Sequence, residues 1–276
     1  MRRRLDLELV RRGLVGSRSE AALAIQAGRV TVSGRPATKA GALVSPDEPI
    51  VLSAPPRRFV SRGGEKLDAA LARFGLDVSG RLALDAGAST GGFTDCLLQR
   101  GAAAVVAVDV GYGQLDWRLR QDPRVTLLER TNVRDLRPEQ LPFTPDLVTA
   151  DLSFISLRLV LPALRRCAAP GSDFVLLVKP QFEVGRERVG PGGVVRDPGA
   201  WRDAVAEVAR AGEALGLCPV GVTVSPLPGP AGNVEFFLHL SGRAASAPGL
   251  EEALEEAVEE ARELRTAARP GGREGR

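Results

Sequence analysis

Seven short apolar segments follow one another from residue 81 onward, and stretches of helical character separate most of them. They read RLALDAGAS, AAVVAVDVG, VTLLERTNV, PDLVTADLS, DFVLLVKPQ, CPVGVTVSPL and NVEFFLHLSG. Apolar strands that alternate with helices predict an α/β fold, in which a mostly parallel seven-stranded sheet is covered by helices. Ligands of such open sheets bind at the carboxyl ends of the strands.

The first 54 residues have a different pattern, which predicts a small α+β domain. LDLELVRRGL has apolar residues at helical spacing, and SRSEAALAIQAG begins with a capping box of Ser17 and Glu20 and ends on Gly28. RVTVSGRPA then alternates like a strand and turns at Ser33 and Gly34, and PIVLS forms a later strand. We predict four regions: a first domain over 1–54, a linker over 55–64, a second domain over 65–242, and a charged helical or disordered tail over 243–276.

Basic charge is concentrated in the first quarter of the chain. The first 66 residues hold 13 Lys or Arg against 6 Asp or Glu, although the whole chain has a net charge of only +3. This asymmetry indicates contact with a polyanion such as RNA, and a solvated basic face is the alternative. The candidate RNA-binding residues are Arg4, Arg11, Arg12, Arg18, Arg29 and Arg35.

Several other classes of protein are disfavoured. The start, MRRRLDLELVRRG, lacks the roughly 7 to 15 apolar residues of a signal peptide, and no segment reaches the roughly 18 of a membrane span. We therefore expect a cytoplasmic protein. Three distant cysteines and the single His239 have no metal-ligand spacing, so we expect neither a disulfide framework nor a metal site.

A glycine-rich loop follows the first strand of the second domain, in LDAGASTGGFTDCLL. Asp85 lies near the end of the strand, and Gly87, Gly91 and Gly92 allow a ligand to approach the backbone before a helix begins. The loop matches neither the dinucleotide fingerprint nor the phosphate-binding P-loop. Asp109, near the end of the second strand, is placed where a carboxylate can accept both hydroxyls of a ribose. These residues alone leave NAD open as the ligand.

Lysine is rare in this chain, because 34 of the 37 basic residues are Arg. One of the three lysines, Lys179, ends the apolar run FVLLV. An amine can give up its proton, whereas a guanidinium effectively cannot. A lysine retained at a strand end therefore indicates amine chemistry, and drift among so few lysines is the alternative.

The glycine-rich loop and Asp109 together resemble the S-adenosylmethionine site of Rossmann-like methyltransferases. The resemblance implies that Asn132 and Val133, after the third strand, contact the adenine. The cofactor-binding residues it implies are Asp85, Gly87, Ser89, Gly91, Gly92, Phe93, Asp109, Asn132 and Val133.

Three classes of methyl acceptor can be compared. Amino-group methylation usually has a [DNS]PP[YF] sequence after the fourth strand, but this chain has ADLSFIS. Carbon-5 methylation of pyrimidines needs a thiolate near that loop, whereas Cys96 and Cys167 lie in predicted helices and Cys218 begins a late strand. A sugar hydroxyl, the third class, is a weak acid that needs a nearby amine held by carboxylates.

Four residues supply that third chemistry, namely Lys66, Asp151, Lys179 and Glu235. Their order is similar to the Lys-Asp-Lys-Glu tetrad of FtsJ-like 2′-O-methyltransferases. Taken singly, each could be an ordinary surface, loop or strand residue, and the conjunction favours the tetrad. In our hypothesis Lys179 is nearest the 2′-hydroxyl, Lys66 makes its proton easier to lose by like-charge repulsion, and the two carboxylates orient the lysines.

The N-terminal domain resembles the S4 RNA-binding domain, which presents arginines to RNA phosphates. With it, RRFVSRGGEKL, LDAGASTGGFTDCLLQRGA, VDVGYGQLDWRLR, ERTNVRDL, ADLSFISL, LLVKPQFEVGRE and GGVVRDP resemble the TlyA family over residues 4 to about 242. That family's linker usually reads Arg-x-Trp-Val, whereas this chain has Phe59 in place of the Trp. The family implies methylation of a cytidine 2′-oxygen in 16S or 23S ribosomal RNA, or in both.

Three rival functions remain open on the sequence. The target could be another hydroxyl, such as a cap ribose, or the protein could be a non-enzymatic ribosome-assembly factor that binds RNA. Family members are also named hemolysins, but no convincing membrane-active segment is present.

Two segments late in the chain allow two interpretations each. EVGRERVGPGGVVRDP is either a mobile lid or an ordinary surface loop. LEEALEEAVEEARELR is interpreted as a solvated helix before a disordered end, with a partner-binding helix as the alternative.

Overall fold

The computed structural model describes residues 2–53, 57–243 and 249–267. The chain forms two compact units, Met1–Arg57 and Arg58–Arg276. Much of the segment predicted as a linker belongs to the second unit, because a helix begins at Arg62 and Phe59 is buried in the core of that unit. Pro55 and Pro56 of that segment lie outside the described residues.

The first unit is the expected small α+β domain. Its elements are β1 (Arg3–Arg4), α1 (Leu5–Arg11), α2 (Arg18–Gln26), β2 (Val30–Val32), β3 (Arg35–Pro36), β4 (Leu43–Val44) and β5 (Ile50–Leu52). All strand pairs are antiparallel: β1 with β4, and β2 with both β3 and β5. The helices pack over a core that includes Leu5, Leu9, Ala24, Ile25 and Val30.

Local backbone chemistry explains the turns and caps of this unit. The Ser17 side chain accepts a hydrogen bond from the Glu20 amide and so caps α2, as the sequence predicts. The predicted hairpin is confirmed, since β2 and β3 are joined by Ser33 and Gly34 with φ of 50° and 77°. Two successive positive φ values suit a turn whose twist matches that of the strands, and glycine adopts them without strain.

All seven strands predicted for the second unit are present. They are β6 (Leu82–Ala86), β7 (Ala104–Val108), β8 (Val125–Leu128), β9 (Leu147–Ala150), β10 (Asp173–Val178), β11 (Cys218–Val224) and β12 (Phe236–Ser241). They form one sheet in the order β11-β12-β10-β9-β6-β7-β8. The five strands from β10 to β8 are parallel, and only β12 runs antiparallel, between β10 and β11. The prediction of a mostly parallel sheet is confirmed.

Helices cover both faces of this sheet, which explains why its central strands are apolar throughout. The helices are α3 (Arg62–Phe74), α4 (Gly92–Gln99), α5 (Trp117–Arg120), α6 (Leu157–Cys167), α7 (Pro180–Glu183), α8 (Pro198–Glu213) and α9 (Leu250–Ala267). One apolar core lies between the sheet and α3, α4 and α5, and the other lies against α6, α8 and α9.

The strand order opens a crevice at the carboxyl edge of the sheet. From β6 the chain proceeds to β7 and β8 on one side, then returns to β9 on the other side of β6. Because the connections after β6 and β9 leave in opposite directions, a gap opens between them, which is where open α/β sheets bind ligands.

The C-terminal helix differs from its prediction as a solvated helix. α9 buries Leu254, Ala257, Val258 and Ala261, and it packs against β11 and α8. The apolar positions recur at helical spacing, so they form one buried stripe between exposed glutamates. The predicted disordered end, TAARPGGREGR, begins at Thr266; its first two residues belong to α9, and residues 268–276 lie outside the described residues.

Within the described ranges, no helix is both long and apolar enough to cross a membrane. The same part of the chain contains no cluster of three or more His, Cys, Asp or Glu side chains that could hold a metal ion.

Candidate active site

Two adjoining cavities lie at the carboxyl edge of the sheet in the second unit. Their volumes are about 310 Å³ and about 500 Å³. Four residues line both of them: Gly87, Ser89, Asp151 and Ser153. Two compartments that share a wall can bring together a cofactor and the group it reacts with, so the geometry suits a transfer reaction.

The glycine-rich loop forms part of that shared wall. Gly87 has φ of 87°, and a Cβ atom there would lie 2.5 Å from the Asp151 carbonyl oxygen. Gly92 begins α4 close to α3, and a Cβ atom there would lie 2.9 Å from the Gly64 nitrogen. Larger residues would therefore force the backbone apart at both positions, which explains the glycines physically.

Asp109 connects the glycine-rich loop to the turn after β7 through its two carboxylate oxygens. Its Oδ2 accepts a hydrogen bond of 2.7 Å from the Ser89 amide, and its Oδ1 accepts one of 2.7 Å from the Gly111 amide. Each oxygen has a second lone pair, so the carboxylate can still accept ligand hydroxyls. Asp109 lines the larger cavity, as a ribose-binding residue must.

Most of the predicted cofactor residues line one cavity or the other. Gly87, Ser89, Gly92 and Phe93 line the smaller cavity, and Asp109, Asn132 and Val133 line the larger one together with Gly87 and Ser89. The Asn132 side chain accepts a hydrogen bond from the Arg134 amide, and the Val133 side chain is buried. The larger cavity therefore has a polar end at Asp109 and an apolar wall near Val133.

Asp85 and Gly91 line neither cavity. Gly91, with φ of 98°, precedes α4 in a backbone conformation that favours glycine, and it is packed against leucines of the α5 region. Asp85 is completely buried and accepts hydrogen bonds from the Thr94 and Thr149 hydroxyls, of 2.7 Å and 3.3 Å. Its carboxyl therefore fastens α4 and β9 to β6, and direct contact with a ligand finds no support in this geometry.

Burial also changes the charge state of Asp85. It raises the pKa of that carboxyl to about 7, against the influence of the Thr94 hydrogen bond. The charge of Asp151 contributes to this raised pKa, and the Thr149 hydrogen bond opposes the rise. Asp85 thus shares an electrostatic environment with the site, although it contacts neither cavity.

The four predicted catalytic residues all line the smaller cavity. Asp151 and Lys179 directly follow the parallel strands β9 and β10. Glu235 directly precedes β12, which is antiparallel, and Val178 faces Phe236 across the β10–β12 pair. The start of β12 therefore meets the carboxyl end of β10, and α3 contributes Lys66 to the same cavity.

Lys66 and Glu235 form a buried ion pair. Lys66 Nζ lies 2.6 Å from Glu235 Oε2, and the two side chains are 8% and 1% exposed. Burial raises the pKa of Glu235, while the charges of Lys66 and Lys179 oppose the rise and the charge of Asp151 adds to it. These four groups therefore influence one another, as a coupled catalytic cluster requires.

Lys179 and Asp151 form the second, more open ion pair. Lys179 Nζ lies 2.6 Å from Asp151 Oδ1, and the side chains are 11% and 26% exposed. The contact is an ion pair rather than an aligned hydrogen bond, because Oδ1 meets no donor in hydrogen-bonding geometry. Lys179 Nζ instead donates a hydrogen bond of 2.9 Å to Ser153 Oγ. The lysine nitrogen is thus held from two sides at the cavity wall.

Several residues that line the cavities were not identified from the sequence, and three of them stand out. Ser153 touches the lysine nitrogen, Gln114 lines the larger cavity, and Phe154 stands at its edge with its side chain 91% exposed. Phe154 has φ of 64°, which is unusual for a bulky residue, and its ring lies 5.2 Å from that of Phe182. The sequence signal that could have identified Ser153 and Phe154 is their position directly after a predicted strand end, in ADLSF.

The six candidate RNA-binding arginines of the first unit are not equivalent. Arg12 binds Glu8 and donates to the backbone oxygens of Pro46 and Glu48, so its guanidinium is engaged within the unit. Arg4 and Arg18 both bind Asp6. Arg11 binds Glu8, Arg29 donates to the Ser53 oxygen, and Arg35 is exposed at the hairpin.

The arginine side chains in these ion pairs differ in how far they are exposed. The side chains of Arg4, Arg11 and Arg18 are 48%, 49% and 59% exposed, whereas that of Arg12 is 22% exposed. The geometry therefore supports phosphate contact by the exposed arginines and a structural role for Arg12.

Comparison with known proteins covers nearly the whole chain. Residues 59–241 match the family of FtsJ-like methyltransferases, and residues 3–50 match the S4 domain. The chain is 58% identical to the 16S/23S rRNA (cytidine-2′-O)-methyltransferase TlyA of Mycobacterium tuberculosis, over 91% of this chain and 96% of that protein. It is also 38% identical to Hemolysin A of Brachyspira hyodysenteriae, over 86% and 98% of the two chains.

A solved structure shares this architecture. A Streptococcus thermophilus protein named as a hemolysin is 38% identical, with a TM-score of 0.74 over 96% of this chain and 98% of that chain. Names of both kinds, methyltransferase and hemolysin, therefore occur among proteins that resemble this one over most of their length.

Proposed function

The chain belongs to the TlyA family of FtsJ-like methyltransferases, and we propose that its substrate is a cytidine 2′-hydroxyl in 16S rRNA, 23S rRNA or both. It is an S-adenosylmethionine-dependent methyltransferase that acts on ribosomal RNA. The observation that supports the finer proposal best is the convergence of two lysine–carboxylate pairs on one cavity beside the glycine-rich loop.

The larger cavity fits S-adenosylmethionine. The carboxylate of Asp109 would hold the ribose hydroxyls, and Asn132 and Val133 would flank the adenine. Gly87, which has no Cβ to press on the Asp151 carbonyl oxygen, lets the loop lie close to the end of β9 beside this cavity. When bound, the cofactor supplies a methyl group on a positively charged sulfur, which is open to in-line displacement. Where the two cavities meet, at Gly87, Ser89 and Asp151, this group would face the substrate compartment.

The smaller cavity would receive the target ribose. As the bond between the ribose oxygen and the methyl carbon forms, the carbon–sulfur bond breaks and the hydroxyl proton must pass to a base. Lys179, as the free amine, is the proposed base, and it is the more accessible of the two lysines. Asp151 and Ser153 fix the position of its nitrogen.

Lys66 and Glu235 have a different proposed role. Because Glu235 compensates the charge of Lys66 at 2.6 Å, direct repulsion between the two lysines is weakened. We infer that this buried pair is a rigid wall of the site, which places Glu235 beside Lys179 and tunes the field there. The roles of all four residues depend on the proposed acceptor hydroxyl.

The first unit would dock the enzyme on folded ribosomal RNA. The exposed Arg4, Arg11, Arg18 and Arg35, with the partly exposed Arg29, would contact phosphates, which fix the position of the protein without selecting the reactive atom. Since ribosomal RNA is the substrate, we propose that the protein acts in the cytoplasm.

Methyl transfer to ribosomal particles tests the proposal. Labelled S-adenosylmethionine is incubated with isolated 30S and 50S particles and with wild type, Lys179→Ala, Lys179→Arg or the surface control Arg210→Ala. Label should appear on a ribose, which makes the adjacent phosphodiester resistant to alkali, and the position of that resistance identifies the nucleotide.

The variants separate the proposed roles. Both Lys179 variants should lose transfer by about 10²-fold or more while they retain cofactor binding, because Arg keeps the charge but cannot accept the proton. Arg210→Ala should transfer normally. Label on neither particle, with intact cofactor binding, would favour another RNA substrate or the assembly-factor alternative, and normal transfer by Lys179→Arg would refute the role of Lys179 as base.

A further inference from the structure

A buried glutamate lies one helical turn after Lys179 and outside both cavities. Glu183 ends the four-residue helix α7, and its side chain is 1% exposed. Its Oε2 accepts a hydrogen bond of 2.5 Å from Ser156 Oγ, and its Oε1 accepts one of 2.7 Å from the Leu157 amide. Both donors belong to the start of α6 rather than to α7 or β10.

Glu183 thus fastens the loop between β9 and α6 to the segment that carries Lys179. Arg158 strengthens this link, because its Nη2 donates a hydrogen bond of 2.9 Å to the Glu183 carbonyl oxygen and its Nε lies 3.5 Å from Oε2. The tilted rings of Phe154 and Phe182, with centroids 5.2 Å apart, make a third contact between the same two segments.

The fastened loop, 151–156, supplies the two contacts of the Lys179 nitrogen. Asp151 and Ser153 are its first and third residues, and each lies within 3 Å of Nζ. Lys179 is the N-cap of the short helix that ends at Glu183, and this helix starts with Pro180, a residue that fixes the backbone at the first helical position. A shift of the loop relative to Glu183 therefore shifts Asp151 and Ser153 relative to Lys179.

A simple capping role does not account for this glutamate. Ser156 already caps α6, since its Oγ accepts a hydrogen bond from the Arg158 amide. Burial of a carboxylate is also unfavourable unless specific partners compensate it. Consistent with this, burial raises the pKa of Glu183, and the hydrogen bonds from Ser156 and Leu157 oppose the rise.

We propose that Glu183 is a positioning residue for methyl transfer, which holds the 151–156 loop so that Asp151 and Ser153 aim the Lys179 nitrogen into the substrate cavity. The inference rests on the proposed role of Lys179 as the base. It concerns only the second unit, and it adds a residue that contacts neither cofactor nor substrate.

Two substitutions at Glu183 and two controls test the inference in the full-length protein. Glu183→Ala removes both acceptors, whereas Glu183→Gln retains an oxygen for the Leu157 amide and offers an amide group to Ser156 Oγ. Glu207→Ala removes the exposed carboxylate partner of Arg158. Val258→Ala opens a cavity in α9, and it controls for loss of stability alone.

The single-turnover rate of methyl transfer is measured with saturating cofactor and ribosomal particles, beside the KM for the particles and the thermal midpoint. Glu183→Ala should slow the step about 10- to 100-fold with KM changed less than about threefold, because misplacement of a catalytic group lowers the rate of the step itself. The single-turnover rate of Glu183→Gln should lie within about threefold of the wild-type rate, and both controls should transfer at the wild-type rate.

Hydrogen exchange of the backbone amides in 151–158 gives a readout that needs no activity. Exchange there should be faster in Glu183→Ala than in Val258→Ala, and Glu183→Gln should restore protection. A wild-type rate together with unchanged exchange in Glu183→Ala would overturn the inference. If wild type itself transfers no methyl group, the proposed function fails, and the exchange comparison still decides whether Glu183 holds the loop.

Discussion

Replacement of Lys66 by Met should strongly destabilise the second unit, because it leaves Glu235 buried without its partner. The carboxylate is 1% exposed and lies 2.6 Å from Lys66 Nζ in the wild-type protein. Removal of one member of a buried pair typically costs about 3 to 5 kcal/mol, since the remaining charge keeps its desolvation penalty. That loss would be a large share of the roughly 5 to 15 kcal/mol that stabilises an ordinary domain.

A double-mutant cycle separates the pair from the loss of lysine packing. Lys66→Met, Glu235→Gln and the double variant are compared with wild type by urea unfolding at pH 7. The double variant should recover most of the Lys66→Met loss, since an uncharged pair carries little desolvation penalty, and the coupling free energy should be about 2 kcal/mol or more. Tryptophan fluorescence reports this unit alone, because both tryptophans, Trp117 and Trp201, lie in it.

The loss of unfolding free energy in Lys66→Met should also depend on pH. Burial already raises the pKa of Glu235, and Lys66 is the strongest influence that opposes the rise. Without Lys66 the folded protein binds a proton that the unfolded chain releases at lower pH, so the stability of the variant falls as pH increases through that interval. The deficit relative to wild type should therefore shrink between pH 7 and pH 5. A deficit below about 1 kcal/mol at pH 7, or one independent of pH, would refute a buried ion pair at this site.

Three further outcomes can be checked with single variants. Asp85→Asn should gain stability relative to wild type as pH rises from about 4 to about 7 in urea unfolding, because the raised pKa makes the folded wild type release its proton later than the unfolded chain; a constant difference would contradict this. Gly87→Ala should weaken cofactor binding about tenfold or more by calorimetry, since its Cβ would lie 2.5 Å from the Asp151 oxygen; unchanged affinity would show that the loop adapts. Val258→Ala should cost about 2 kcal/mol in the same unfolding assay, because its side chain is buried; a neutral result would mean that α9 is not part of the cooperative core.

The sequence alone was sufficient for the seven strands of the second unit and for the mostly parallel sheet that they form. Strands such as DFVLLV are apolar throughout because helices cover both of their faces, and that pattern is visible without coordinates. The hairpin at Ser33 and Gly34 and the cap at Ser17 depend on backbone preferences that extend over only a few residues. The helix α9 was also predicted, but as a solvated helix, because the sequence does not show the surface against which it packs.

The sequence also indicated which residues would meet, through their positions at strand ends, but not how they would pair. Lys66 and Glu235 are 169 positions apart, and they touch only because β12 enters the sheet antiparallel beside β10. The same long-range packing buries Asp85 away from the cavities and turns Arg12 toward backbone oxygens of its own unit. Local propensities act within a helical turn or a strand, whereas these contacts depend on the strand order of the sheet and on side-chain packing, so only the tertiary structure decides them.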